Sequence, residues 1–244
     1  VTATAGALNV ALSQAAMATF RKKHIAALNA VRLIAEKEHL RISGDVEISI
    51  AVDIAAETVE PGHCALSAER VCALVAKFPA SAEITITVGD KGALFVLGSS
   101  GFQLPIIPWA DLPPPLEIAD PIGSIIITGD DLLSLLAPLP AAADTPDRPY
   151  LQGVLWHSVD GKLVAIATNG VQLIRTEVTA GMFSPGHDLI VPIEPATQLL
   201  KLAKRARFDR VTLRRDKRLL SVSAAGFSFI TRLLDFTFPD YTRV

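Results

Sequence analysis

Apolar and polar residues alternate along this chain in two different periods, and the switches between periods divide it into elements. After a short strand near Val1, the stretch GALNVALSQAAMATF places Leu8, Leu12, Ala15, Ala16 and Phe20 at helical spacing, so it predicts an amphipathic helix. AALNAVRLIAE and HLRISGDVEISIAVDIAAETV read as strands around turns. LSAERVCALVAKF returns to the helical period, with Ser67 placed to accept a hydrogen bond from the first turn. AEITITVGDKGALFVLGSSGFQLPI then alternates as strands joined at Gly-Asp and Gly-Ser turns.

The same order returns in the second half. TGDDLLSLLAPL predicts a helix that starts near Thr128 or Asp130. GVLWHSVDGKLVAIATNGVQLIRTEV predicts strands with a hairpin turn at Asp160-Gly161. IEPATQLLKLAKRA predicts a second helix with Pro195 in its first turn. DRVTLRRDKRLLSVSAAGFSFITRLL supplies closing strands. Residue matches support a repeat with an offset of 125, within one residue. RISGDVEISI reads against AIATNGVQLI, with Ser43-Gly44-Asp45 facing Thr168-Asn169-Gly170. Pro61-Gly62-His63 matches Pro185-Gly186-His187, Asp90-Lys91 matches Asp216-Lys217, and Gly101-Phe102 matches Gly226-Phe227. Leu112-Pro113 matches Phe238-Pro239. Two copies of one α+β domain are therefore expected, at 1–118 and 119–244, each with two helices on a largely antiparallel sheet. The Pro-rich stretch DLPPPLEIADPIG joins them.

Composition narrows the function classes. The 244 residues are 50% hydrophobic and 20% charged, enough for two ordinary cores. The net charge of -2 gives no global basic excess, so any nucleic-acid surface must be local. Cys64 and Cys72 make no disulfide framework and no metal set, and read as thiols of a reducing compartment. No apolar run reaches bilayer length and no leader pattern is present, which predicts a cytoplasmic protein. The start at Val1 rather than Met suggests a trimmed N-terminus. Catalysis finds little footing: His24, His39, His63, His157 and His187 are scattered, Asp130-Asp131 suits a helix start, and no phosphate-binding Gly loop occurs. Neither enzyme activity nor a cofactor or metal is expected.

Four stretches of the second copy carry a resemblance: RPYLQGVLW, AIATNGVQLI, LIVP and the closing FPDYTRV. In this order they resemble the bacterial DNA polymerase III beta subunit, the replicative sliding clamp, and the likeness runs along almost the whole chain. It covers the first and second of that family's three domains, and it implies that a third clamp domain, absent from this sequence, once followed. Family members close into a ring of six such domains around double-stranded DNA, with helices lining the hole. The resemblance thus implies a sequence-independent processivity factor that tethers polymerase and clamp-loader subunits through short peptide motifs. A trimer of two-domain chains or a dimer of longer ones would close the ring. The alternative is a clamp-like paralogue that binds proteins without encircling DNA.

For DNA the resemblance singles out Arg21, Lys22 and Lys23 after the first helix, and Arg148 and Tyr150. Pro149 replaces an aromatic there. Lys201, Lys204 and Arg205 lie at helical spacing and are placed to face the hole. The plain alternatives are a solvated helix end for the first group, where cations suit the macrodipole, and a packed aromatic at Tyr150. Arg214, Arg215, Lys217 and Arg218 surround a turn and are expected in solvent. Glu69 and Glu194 stand where clamps often carry basic residues, and would repel phosphate. For the partner peptide the matching positions are Leu151, Thr168, Gly170, Val171, Gln172, Leu173, Pro239, Arg243 and Val244. Leu151 and Leu173 equally suit ordinary core. Val171-Gln172 departs from the basic pair common in the family, which predicts a different peptide preference.

Overall fold

The structure is a computed structural model that describes residues 1–20, 25–179, 183 and 188–241. Two compact units form, Val1–Leu116 with Ala225–Ser228, and Glu117–Ala224 with Phe229–Val244. The first runs β1 (Thr2–Thr4), α1 (Ala5–Ala15), β2 (Ala30–Glu36), β3 (His39–Asp45), β4 (Ile48–Ala55), β5 (Gly62–Ser67), α2 (Ala68–Val75), β6 (Glu83–Gly89), β7 (Gly92–Leu97) and β8 (Ser100–Leu104). Its strands order as β1-β6-β7-β8 and β5-β2-β3-β4. The second runs β9 (Gly123–Thr128), α3 (Gly129–Leu136), β10 (Gly153–Val159), β11 (Lys162–Thr168), β12 (Leu173–Val178), β13 (Leu189–Pro192), α4 (Ile193–Ala206), β14 (Arg210–Arg215), β15 (Leu219–Ala224) and β16 (Phe227–Arg232). Its orders, β9-β14-β15-β16 and β13-β10-β11-β12, reproduce those of the first unit strand for strand. Every pairing given for neighbouring strands within a unit is antiparallel.

Local chemistry explains the helix starts. Ser67 accepts from the Arg70 amide and caps α2, as its position before the helical period predicts. Thr128 and Asp131 exchange side-chain and backbone hydrogen bonds in a capping box that starts α3. Asp160 and Gly161 both have positive φ, the requirement of the tight hairpin that their sequence announces. Helix α1 is shorter than its pattern, passing at Ala16 into a 3-10 turn. Residues 26–29, which read as strand, also form a 3-10 turn. The structure adds β5, β9 and β13, strands that the pattern reading does not assign.

In unit 1, Leu8 and Leu12 of α1 and Val71 and Val75 of α2 share a core with Leu33, Ile42, Leu66, Ile84 and Phe95 from both sheets. Helix α1 approaches β3 so closely that a Cβ on Gly44 would collide with the Ala15 carbonyl. The other face of β2-β3-β4 is polar. There Arg32 pairs with Asp45, which also accepts from Ser49 and, at 2.8 Å, from Ser43. Arg32 donates onward to the Pro113 carbonyl and lies 5.6 Å from the Trp109 ring centre. A buried ion pair thereby fastens the exit segment of the unit to its sheet.

Unit 2 solves the same task with apolar side chains. Trp156 is fully buried on the helix side and donates its indole N–H to the Leu135 carbonyl at 2.9 Å. On the opposite face Leu155, Val164, Ile166 and Ile190 form a cluster, covered by Leu173, Leu234, Phe238 and Tyr241. The Tyr241 hydroxyl meets His157 Nε2 at 2.9 Å, and the two rings touch edge to face. Burial lowers the His157 pKa, against a raising influence from Asp188 and a smaller lowering one from Arg175.

The strand bounds also correct the alignment of the repeat. Strands β3 and β11 each have seven residues, so Asp45 and Thr168, the last of each, are equivalent. The turn that follows spans 46–47 in unit 1 and 169–172 in unit 2. The match of Ser43-Gly44-Asp45 to Thr168-Asn169-Gly170 is therefore displaced by these two extra residues.

Three substitutions bear on stability. Asp45→Ala leaves Arg32 buried and unpaired, and should cost about 3 kcal/mol or more in urea titrations, whereas Arg41→Ala at the half-exposed Asp53 pair should cost roughly 1 kcal/mol or less. For His157 the folded pKa lies below the unfolded value of about 6.5, so its favourable contribution is complete above that value. It is lost as pH falls from there through the folded pKa. His157→Gln should flatten the pH dependence of the urea midpoint in that window. An unchanged slope would contradict the assignment.

Candidate functional site

The β11–β12 turn is built to hold one shape. The Asn169 carboxamide oxygen accepts from the amides of Val171 at 2.9 Å and Gln172 at 3.0 Å. Thr168 donates its hydroxyl to the Gln172 carbonyl at 2.7 Å and accepts from the Gly170 amide at 3.1 Å. Gly170 has a φ of 89°, and a Cβ there would press on the Arg148 guanidinium. Arg148 in turn donates Nη1–H to the Asn169 carbonyl at 3.3 Å. Bonded on both sides, the turn presents Val171, 96% exposed, and Gln172 to solvent.

Next to it Leu173 packs, half-buried, on the Leu155 cluster together with Phe238. Pro239, the next residue of that covering segment, is exposed. Thr168, Gly170, Val171, Gln172 and Leu173 are thus gathered at one end of the sheet by the turn itself. Leu151 is buried, in a 3-10 turn over Pro149–Leu151, and its carbonyl accepts from the Ala143 amide. Arg243 and Val244 lie outside the described residues.

The candidate DNA contacts separate into three situations. Lys201, Lys204 and Arg205 are exposed on α4, whose opposite side buries Ala196, Leu199, Leu202 and Ala203. Glu194 is exposed in the first turn of the same helix, and Glu69 in the first turn of α2. Arg148 is exposed but bonded to the turn, and Tyr150 is half-buried beside it. Arg21, Lys22 and Lys23 lie outside the described residues. Of the basic residues around the β14–β15 turn, Arg214, Lys217 and Arg218 are exposed as expected. Arg215 is not: it is only 5% exposed, donates Nε–H to the Asp216 carbonyl, and has its pKa lowered by burial. The alternation of β14 turns its side chain inward with Val211 and Leu213.

The sequence places Thr168 and Gly170 among the peptide positions but gives no role to Asn169 and does not join it to Arg148. The signal was Asn before Gly in a turn two residues longer than its repeat partner. Also unanticipated is a cavity of about 500 Å3 between residues 142–148 and this turn. Among the described residues no group of His, Cys, Asp or Glu is arranged to hold a metal ion, and no helix is long and apolar enough to cross a membrane.

Comparison with known proteins matches both units to one family. Residues 3–117 fit the N-terminal domain of the DNA polymerase III beta subunit, and residues 134–240 fit its central domain. The beta sliding clamp of Caulobacter vibrioides is 28% identical over 98% of this chain and 66% of its own length. That of Pseudomonas aeruginosa is 28% identical over 92% of this chain and 62% of its own length. The chain thus spans somewhat under two thirds of the length of these relatives. The crystal structure of the Pseudomonas aeruginosa DNA polymerase III subunit beta superposes with a TM-score of 0.90 at 26% identity, covering 99% of this chain and 66% of that one. A Bartonella birtlesii sliding clamp bound to griselimycin has the same fold, with a TM-score of 0.92 at 24% identity over all of this chain and 67% of that one. With matches to two successive domains in order and little sequence left outside them, the chain belongs to the DNA polymerase III beta subunit family.

Proposed function

We propose that the chain serves as a sliding clamp, a non-catalytic processivity factor that surrounds duplex DNA in the cytoplasm and tethers the replicative polymerase. The observation that carries this reading is the likeness to beta sliding clamps along 98% of the chain. A topological tether needs neither cofactor nor base recognition. It needs cations that tolerate phosphate without gripping it, and Lys201, Lys204 and Arg205 on the exposed side of α4 suit that role. Glu194 on the same helix reduces the grip. Arg148 and Tyr150 are secondary contacts, and Arg21, Lys22 and Lys23 are proposed from their sequence position alone. Self-association into a ring is supported by β8, which ends its sheet and exposes Phe102.

Polymerase and clamp-loader subunits would dock through short peptide motifs on unit 2. The site is the apolar shelf of Leu173 and Pro239, rimmed by Thr168, Gly170, Val171 and Gln172. Leu151, Arg243 and Val244 are added to it from their place in the sequence alone. The domain division at about residue 118 belongs to the same reading.

Charge reversal at Lys201, Lys204 and Arg205 should lower duplex DNA affinity at low salt by roughly ten-fold or more while leaving the circular dichroism spectrum unchanged. DNA affinity equal to the unmodified protein's would remove α4 from the DNA surface. Leu173→Asp should weaken binding of a Gln- and Leu-containing polymerase-tail peptide by roughly ten-fold or more in fluorescence anisotropy. Unchanged affinity would remove the pocket assignment.

A further inference from the structure

The cavity between residues 142–148 and the β11–β12 turn has chemistry of its own. Ala142 and Val171 give it apolar surface, and Asp144, Asp147 and Arg148 give it charge. Asp144 and Asp147 are both exposed, and among the described residues neither carboxylate has an ion-pair partner. Arg148 is already drawn aside, bonded to the Asn169 carbonyl and packed against Gly170. The groove therefore carries two carboxylates without an ion-pair partner against one guanidinium held at the turn, and its lining is net negative.

We propose that this groove seats the flank of the partner peptide whose core lies on the Leu173 shelf, and that it selects Lys or Arg in that flank. The inference rests on the peptide-docking reading of the shelf. Groove and shelf share the same turn: Val171 lines the groove, and Leu173, two residues on, belongs to the shelf. A peptide crossing the turn from the shelf reaches the groove without leaving the surface of unit 2. The volume of about 500 Å3 admits one or two long side chains. A lysine can lay its methylene stem along Val171 and Ala142 with its ammonium at Asp144 and Asp147. A glutamate there faces two carboxylates against the single Arg148 guanidinium, so the groove discriminates by repulsion as well as attraction. Since Val171 and Gln172 are uncharged, the excess of Asp144 and Asp147 over Arg148 decides the sign of the flank.

The test uses three fluorescein-labelled peptides that share one Gln- and Leu-containing core and carry a Lys-Lys, Ser-Ser or Glu-Glu flank, with the pair placed on either side of the core. Anisotropy titrations with the 244-residue protein at low salt should give Lys-Lys binding roughly five-fold tighter than Ser-Ser, and Glu-Glu weaker than both. Asp144→Lys with Asp147→Lys should invert that order, and since both positions are exposed the circular dichroism spectrum should not change. Salt of about 0.5 M should compress the differences. Core binding that is equal for all three flanks overturns the proposal and leaves the shelf intact. The absence of binding by any of the peptides overturns both the proposal and the shelf reading.

Discussion

Each unit has two short helices, and they cover only the inner faces of its sheets. The outer face of β2-β3-β4 or of β10-β11-β12 must be closed by something else, and the rest of the molecule's chemistry depends on how that is done. In unit 1 the closure is ionic, with Arg32 and Asp45 buried against Ser43, Ser49 and the exit segment at Trp109 and Pro113. In unit 2 two of the three equivalent positions are apolar. Leu155 stands third in β10 as Arg32 does in β2, Ile166 stands fifth in β11 as Ser43 does in β3, and Thr168 replaces Asp45. An ion pair fixes its partners in place and leaves little to share. An apolar face covered by Leu234, Phe238 and Tyr241 leaves a shelf at its edge, where Leu173 and Pro239 meet solvent.

The turn next to that shelf follows from the same divergence. Two residues suffice to connect β3 to β4, whereas four connect β11 to β12. The two additional residues give Asn169 room to fold the backbone onto its own side chain and give Arg148 a carbonyl to hold. Under the proposed function, one unit of the repeat is structural and the other docks peptides, and the two differ in a few side chains and one longer turn. The proposed DNA surface draws on different parts, the helices, whose exposed sides need no fixed geometry to act on phosphates.

Much of this was legible in the sequence because it is local. The helix starts at Ser67 and Thr128, the hairpin at Asp160-Gly161 and the order of helices and hairpin strands in both copies depend on neighbours a few residues away. The residues proposed for the shelf were singled out by the family resemblance alone, since nothing in the pattern tells Leu173 from core. What escaped reading depends on distant partners. Strands β5, β9 and β13 run directly into helices, and they exist through pairing to β2, β14 and β10. Arg215 sits in a basic run yet turns inward because strand alternation overrides its charged neighbours. The exact register of the repeat was hidden by similar letters on both sides of turns of unequal length. The groove at Asp144 and Asp147 arises only when residues 142–148 fold against the turn.

The central claim is topological, and the most direct measurement is retention on DNA of different ends. The protein expressed from its own native reading frame is loaded onto nicked circular DNA, freed of unbound protein at high salt, and followed before and after the circle is linearised. A sliding clamp stays on the circle and is lost from the free ends once the DNA is cut. Equal retention on circular and linear DNA, or equal loss from both, would contradict the account.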